Sequence, residues 1–296
     1  MAKSFSSDVL KILGSATGSH NMHDVLHDFV IMSMCAVHNA VPCNKCDKLE
    51  EKYMTLAKKY KPKELETFAH ALGALQKEYD KILEFGGFHD VLGEIYMESA
   101  TSNDKSGQFF TPFSVSQVAA EANITEQSVS EWTDGDPNGV VTLLEPTCGS
   151  GGMILAAAQR LQQLNVNYSW QMLAYANDID ERCVAMTYLQ CAFLGIPAII
   201  THGNGLTLEY WAEYHTPAYM MGFLHFDRQI KLKREKKRET EEKLKPVLDR
   251  VFSERENNEW MENGENSGND IAIHEQPAAN PPAGIQDPAE LQLSLF

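Results

Sequence analysis

The fold is decided by the stretch Glu145-Pro146-Thr147-Cys148-Gly149-Ser150-Gly151-Gly152. It lies between an apolar run, residues 140–144, and a helix-forming stretch, residues 153–164. A strand, a glycine-rich turn and a helix form the opening unit of many nucleotide sites. Glycines let the backbone approach a ligand closely, and the helix start offers free N–H groups and the positive end of a dipole. The sequence therefore predicts a cofactor at this turn.

Two further strands are predicted downstream, over residues 172–177 and 198–202, with helices between them. Strands that alternate with helices form a parallel sheet wound in the Rossmann manner. The alternation ends after Leu206, so the predicted parallel sheet looks truncated. The expected fold class is α/β with a Rossmann-like core.

Four segments of the chain differ in composition. Residues 1–100 read as an all-helical N-terminal domain, and residues 101–226 hold the glycine turn and the predicted strands. Residues 227–258 read as one long charged helix, and residues 259–296 as an acidic tail that we expect to be disordered. The helices of the first segment are expected at residues 22–40, 47–60, 62–85 and 90–99.

The charge of the chain argues against binding duplex DNA by electrostatic attraction alone. The formal net charge is -16 over 296 residues, whereas nonspecific DNA affinity comes from Lys and Arg that neutralise phosphates. Nine acidic residues and one basic residue lie from Glu254 onward, so the tail carries much of this excess. The basic run at residues 231–238 could contact phosphates or form a solvated helix face.

Cellular location follows from the absence of export signals and from the cysteines. No leader opens the chain and no apolar run reaches membrane-spanning length, so we expect a cytoplasmic protein with no membrane contact. Six scattered cysteines fit a reducing compartment. Four residues have the types and spacing of a zinc site but equally fit a helix end and a loop, and we predict no metal there: Cys35, His38, Cys43 and Cys46.

Three more motifs surround the glycine turn. Gly107-Gln108-Phe109-Phe110-Thr111-Pro112 precedes it, and residues 175–180 (Tyr-Ala-Asn-Asp-Ile-Asp) and 201–206 (Thr-His-Gly-Asn-Gly-Leu) follow. In this order and spacing, residues 90–206 resemble the adenine-N6 DNA methyltransferases related to the modification subunit of type I restriction systems. The resemblance implies a bacterial or phage protein with a Rossmann-like methyltransferase core, S-adenosylmethionine as cofactor and DNA as substrate. A specificity subunit or a second copy of the chain is a further expected partner.

S-adenosylmethionine needs a backbone turn for its methionine end, an acid for its ribose hydroxyls and a polar group for its adenine edge. Asp178, at the end of the second strand, is placed for the ribose. Asn204, after the third strand, matches the family's adenine contact, and Ile179 could pack on the adenine face. Phe110 is expected to pack against the methionine end, while Thr111 bonds the cofactor or caps its helix. Asp180 is interpreted as a helix cap.

The full set of residues expected to bind the cofactor spans three of these motifs and the glycine turn. They are Phe110, Thr111, Glu145, Pro146, Cys148, Gly149, Ser150, Gly151, Asp178, Ile179 and Asn204.

The sequence departs from the family at the catalytic motif. The family carries Asn/Asp-Pro-Pro-aromatic at the end of its fourth strand, where it holds and stacks a flipped adenine, and no such motif follows Leu206. Asn280-Pro281-Pro282-Ala283 lies in the predicted disordered tail and ends in a residue that cannot stack. Residues 214–219 could replace the motif, but the catalytic residues stay unassigned. The alternative is a noncatalytic methyltransferase-like subunit or an anti-restriction protein.

The C-terminal peptide is a second distinct signal. Gln292-Leu293-Ser294-Leu295-Phe296 resembles the peptides with which bacterial replication and repair proteins dock on the sliding clamp. Leu293, Leu295 and Phe296 would be apolar anchors on a flexible leash, and Gln292 is the polar residue of the match. A strand or helix that returns to the core is the other interpretation.

Overall fold

The computed structural model describes residues 6–15, 18, 20–100 and 109–259. The chain forms two compact units, of which the first ends at Phe223 and the second begins at Leu224. The predicted disordered tail, the clamp-like peptide and Gln108 lie outside the described residues.

The first unit opens with seven helices and a short 3-10 turn at Pro42–Asn44. The helices are α1 Ser6–Gly14, α2 Met22–Asn39, α3 Asp47–Ala57, α4 Pro62–Glu84, α5 Val91–Ala100, α6 Phe113–Asn123 and α7 Glu126–Trp132. The predicted helices of residues 1–100 are therefore present, although α3 ends three residues before the predicted boundary. Pro62 at the start of α4 fits its preset φ and missing N–H.

The remaining elements of the first unit build the sheet. In chain order they are β1 Val141–Glu145, α8 Gly152–Gln163, α9 Tyr168–Gln171, β2 Met172–Asp178, α10 Glu181–Phe193, β3 Ala198–Asn204, β4 Glu209–His215 and α11 Pro217–Met221. The three predicted strands are β1, β2 and β3.

The strands lie side by side in the order β1, β2, β3, β4. The first three are parallel, with Glu145 opposite Ala176 and Asp178 opposite His202. The carboxyl ends of β1, β2 and β3 therefore meet at one edge of the sheet, where open α/β sheets bind ligands.

The three predicted strands are parallel as expected, but the sheet has a fourth strand, β4, that was not predicted and that pairs with β3 in the antiparallel direction. Sequence reasoning found no strand after Leu206. Strand β4 buries little: its residues are mostly exposed or half-buried, and only Tyr214 is fully buried. An alternation of more buried and exposed residues is the main signal for such a strand, and it is present here: Tyr210, Ala212 and Tyr214 alternate with the exposed residues at positions 209, 211 and 213. The sequence reasoning overlooked this signal. A tight turn from β3 leads into β4.

Helices α1 to α5 and the sheet share one hydrophobic core. Val141, Leu143, Ala174 and Ile200 point to the same face of the sheet, and all belong to a cluster that also contains Phe29 of α2. The N-terminal helices are therefore packed as part of the same compact unit as the cofactor turn.

Helix α12, Phe223–Glu259, belongs to the second unit from Leu224 onward. It confirms the predicted long charged helix and begins four residues earlier than predicted. Ion pairs at i and i+4 lie along its surface: Lys231 Nζ is 2.8 Å from Asp227 and Lys237 Nζ is 3.9 Å from Glu241. None of the helices described has both the length and the apolar character that crossing a membrane requires.

Gly203 provides a test of the β3–β4 pairing. A Cβ atom at this residue would lie 2.4 Å from the carbonyl oxygen of Glu209, so Gly203→Ala should lower the free energy of unfolding by about 1–3 kcal/mol through overpacking. Gly73→Ala, on an exposed part of α4 with open space around it, is the control and should raise it by about 1 kcal/mol. Urea unfolding of both variants measures the difference. Equal effects of the two substitutions would show that β4 does not pack as described.

Candidate cofactor site

The glycine turn between β1 and α8 has a backbone conformation that residues other than glycine rarely adopt. Gly149 has φ +54° and Gly151 has φ +100°, in the region that favours glycine. A Cβ atom at Gly149 would lie 3.2 Å from the Phe110 ring, and one at Gly151 would lie 3.1 Å from Thr187 Oγ1. The turn is thus held against Phe110 on one side and α10 on the other.

Asp178 at the end of β2 is bonded to this turn. One carboxylate oxygen accepts the Gly149 N–H at 2.9 Å, and the other accepts the Asp180 N–H at 2.9 Å. Burial raises the pKa of Asp178, and the backbone hydrogen bonds oppose that shift because they favour the ionised form. Each oxygen keeps a second lone pair, so the carboxylate can accept further bonds from ligand hydroxyls.

A cleft of about 440 Å³ opens beside the turn. Six of the eleven predicted cofactor residues line it: Phe110, Thr111, Cys148, Gly149, Ser150 and Asp178. The lining residues that sequence reasoning missed are Phe109, Ser116, Thr147, Gly152, Met153 and Cys183. Three of these residues, Phe109, Thr147 and Gly152, lie inside the quoted motifs. Their position next to predicted cofactor residues could have identified them from the sequence.

Three of the missed residues share a structural position. Ser116, Met153 and Cys183 lie in the first turns of α6, α8 and α10. First-turn N–H groups have no partner inside their helix, and the helix dipole is positive there. The Asp180 side chain already caps α10, and the Ser116 N–H donates to a main-chain carbonyl oxygen. The start of α8, whose N-cap Gly151 has no side chain, is therefore the one that favours a ligand with acceptor atoms or negative charge.

The other five predicted residues do not line the cleft. Glu145 is buried, accepts the Thr147 N–H at 3.1 Å, and has a pKa raised by burial. Ile179 is 58% exposed, so its side chain is accessible to the ring of a ligand. The Asn204 side-chain oxygen accepts the N–H groups of Leu206 and Thr207, which gives it a role in the β3–β4 turn. Gly151 supports the turn as described above.

Pro146 lines a second, mostly apolar cavity of about 170 Å³ on the opposite face of the sheet. The Asn177 amide donates to the carbonyl oxygens of Pro146 and Gly203 and accepts the Thr201 hydroxyl. Because all three of these contacts engage Asn177, it joins the turn after β1 to β3 and has little capacity left for a ligand.

The two interpretations of Thr111 are now distinguishable. Helix α6 begins at Phe113, its N-cap is Pro112, and no side-chain cap hydrogen bond is present among the described residues. A cap at Thr111 is therefore wrong, and its place in the cleft remains. Asp180 is confirmed as a cap, because its side chain accepts the Arg182 N–H at 2.9 Å at the start of α10.

Two further candidate groups lie outside the cleft. None of residues 214–219 lines it, and Tyr214 and Tyr219 are buried. Among the described residues, no three His, Cys, Asp or Glu side chains are grouped so as to hold a metal ion, and this includes Cys35, His38, Cys43 and Cys46. His38 packs instead between the rings of Tyr188 and Tyr214.

A glycine turn after the first of three parallel strands and an acid at the end of the second are typical of Rossmann-like folds that bind a nucleotide-type cofactor. The sequence matches the family described as N-6 DNA Methylase over residues 88–262. The chain belongs to this family, and S-adenosylmethionine is its cofactor. A comparison with curated proteins gave no match.

Two solved structures are similar to this chain at low identity. One is described as a class I S-adenosylmethionine-dependent methyltransferase from Listeria monocytogenes, with 14% identity and a TM-score of 0.36 over 68% of this chain. The other is the type I restriction-modification system methyltransferase subunit from Streptococcus thermophilus, with 13% identity and a TM-score of 0.35 over 68% of this chain. The chain spans 54% and 59% of the lengths of these two proteins.

The cleft fits the chemistry of this cofactor at several points. Asp178 can accept hydroxyl groups, and the glycine turn leaves room for close approach. Ser116 Oγ is buried and has no hydrogen-bond partner within the described part of the chain. An unpaired buried polar atom costs about 1–3 kcal/mol, and the polar amino-acid end of S-adenosylmethionine could satisfy it.

Ser116→Ala should therefore have opposite effects on stability and on affinity. Without ligand, the free energy of unfolding of the variant should be about 1 kcal/mol higher than that of the wild type, since an unpaired buried hydroxyl is removed. Its affinity for S-adenosylmethionine should fall by roughly threefold to tenfold, since one hydrogen bond to the ligand is lost. Urea unfolding and calorimetric titration measure the two effects. Ser114→Ala on the exposed side of α6 is the control, and unchanged affinity in Ser116→Ala would exclude this contact.

Proposed function

We propose that the protein takes part in the methylation of adenine N6 in DNA and binds the cofactor for that reaction. The observation that carries the proposal is the Asp178 carboxylate bonded to the glycine turn at the cleft, in a chain of the N-6 DNA methylase family. S-adenosylmethionine supplies an electrophilic methyl group, which in this proposal passes to the amino nitrogen of a flipped adenine. The cytoplasm is the expected location.

The described residues divide the task of holding the cofactor. Asp178 would accept the ribose hydroxyls, and the turn at Gly149 would admit the methionine end. Phe110 forms one wall of the cleft. The centre of its ring is 5.0 Å from that of the Tyr96 ring on one side, and on the other side the ring lies where a Cβ atom at Gly149 would meet it. An aromatic wall fixed from behind excludes water and limits how the ligand can move. In this proposal Ile179 packs on the adenine face, whereas the Asn204 side-chain oxygen is engaged in the β3–β4 turn.

A second candidate function is a subunit that is inactive without a partner. In the described residues the sheet ends at β1, and no Asn/Asp-Pro-Pro-aromatic motif follows Leu206. The β1 run Val141–Leu144 carries no charge or proline that would discourage pairing with another strand. A specificity subunit or a second copy of the chain could add to that edge and bring the missing catalytic groups.

Recruitment to DNA is the other element of the proposal. The basic run of α12 is partly neutralised, because Lys231 and Lys237 pair with acids of the same helix, and the whole chain is acidic. A docking peptide would supply the DNA affinity that such a surface lacks. We propose that residues 292–296 bind the bacterial sliding clamp.

Titration with S-adenosylmethionine, followed in the same sample by methylation of mixed-sequence duplex DNA, tests the proposed function. Asp178→Ala should weaken cofactor binding by about 1–2 kcal/mol or more, because a charged acceptor of two hydroxyl bonds is lost. Asp80→Ala, on an exposed position of α4, should leave the affinity unchanged. Methyl transfer by the chain alone supports an enzyme. Binding without transfer supports the partner-dependent subunit, and no binding contradicts both functions.

Removal of residues 292–296 should abolish binding to a purified bacterial sliding clamp and leave the affinity for S-adenosylmethionine unchanged. Apolar anchors in a short docking peptide carry most of its affinity. Surface plasmon resonance of the full chain, the truncated chain and a Phe296→Ala variant measures the loss. Clamp binding that survives the truncation would refute the assignment of this peptide.

A further inference from the structure

Asp90 is a buried carboxylate that the proposed chemistry does not use. It lies just before α5 and is 4% exposed. Its oxygens accept three hydrogen bonds: from the Gly93 N–H at 2.9 Å, from Gln190 Nε2 at 2.7 Å and from Ser150 Oγ at 2.6 Å. A buried charge is tolerated only when it is paired or fully hydrogen-bonded. The burial of the Asp90 carboxylate therefore depends on these three donors.

Gln190 of α10 holds the same turn from a second direction. Its Nε2 donates to the Ser150 carbonyl oxygen at 2.6 Å as well as to Asp90. Its Oε1 accepts the hydroxyl of Tyr79 in α4, which is fully buried. Ser150 is thereby held through its side chain by Asp90 and through its main chain by Gln190, and Tyr79 of α4 holds Gln190 in turn.

The packing around Asp90 leaves no room for adjustment. A Cβ atom at Gly93 would lie 2.2 Å from the Asp90 carboxylate, and one at Gly152 would lie 3.2 Å from it. The first turns of α5 and α8 can therefore both approach this carboxylate closely, because Gly93 and Gly152 have no side chain. The backbone of Gly152, the first residue of α8, lies close to the Asp90 carboxylate.

We propose that Asp90 is a positioning residue for cofactor binding. By fixing the Ser150 hydroxyl on the protein side of the turn, it holds Gly149, Ser150 and Gly151 in the conformation that faces the cleft. The N-terminal helices thus act on the cofactor through Asp90 without touching it. This inference rests on the proposed binding of S-adenosylmethionine in the cleft.

Asp90→Asn tests the inference, because it keeps the shape of the side chain and removes the acceptor for one of the three donors. The affinity for S-adenosylmethionine should fall roughly tenfold, as for a lost hydrogen bond to a charged group. The matched control is Asp28→Asn. Asp28 is also buried, at 3% exposed, and bonds to Tyr60 and Lys59 within the N-terminal helices. This control should lose stability without losing affinity.

A double-mutant cycle with Ser150→Ala separates positioning from general destabilisation. If Asp90 acts through the Ser150 hydroxyl, the double variant should bind the cofactor about as weakly as either single variant. Additive losses, or an equal loss of affinity in Asp28→Asn, would overturn the inference.

Hydrogen exchange without cofactor provides a second and independent readout. Amides of residues 147–152 should exchange faster in Asp90→Asn than in the wild type and in Asp28→Asn. If the wild type binds no S-adenosylmethionine, the proposed function fails, and the exchange result still decides whether Asp90 positions the turn. Unchanged exchange in Asp90→Asn would overturn the positioning role.

Discussion

The hydrogen bond from the Gly149 N–H to the Asp178 carboxylate is the interaction on which the site depends. It joins the turn after β1 to the end of β2, and it can form only because the parallel register brings those two strand ends together. It also requires glycine, since a side chain at this position would meet the Phe110 ring. One bond therefore ties the sheet, the turn and the wall of the cleft to each other.

Much of this arrangement could be predicted from the sequence because its parts are local. A glycine turn between a strand and a helix, and an acid at the next strand end, are patterns whose physical reasons lie within a few residues. The six predicted residues that line the cleft come from such stretches. Ser116 and Cys183 were missed because helix packing brings them to the cleft, and nothing in their own neighbourhoods signals a ligand. Asp90 is a more extreme case, since its partners Ser150 and Gln190 are 60 and 100 residues away.

The error at β4 has a different origin. Strand β4 is a short segment at the edge of the sheet, paired only with β3 among the described residues. Its alternating pattern over Glu209–His215 was overlooked because exposed Trp211 interrupts the polar face. Asn204 is a separate case, since its side chain was assigned to the adenine edge on the basis of its position after a strand. In the structure its oxygen accepts two backbone N–H groups of the turn that leads into β4. A residue at a strand end can serve the next turn as well as a ligand.

The long sequence separations of the buried network have a consequence for synthesis of the protein. Ser150 bonds to Asp90, which precedes it by 60 residues, and to Gln190, which follows it by 40. A nascent chain on the ribosome cannot complete this network until the whole of α10 has left the exit tunnel, because domains fold only as their parts become available. The glycine turn is translated before α10, so its hydrogen bond to Gln190 can form only later. If Asp90 positions the turn as proposed, cofactor affinity is expected only after α10 has been translated and the network is complete.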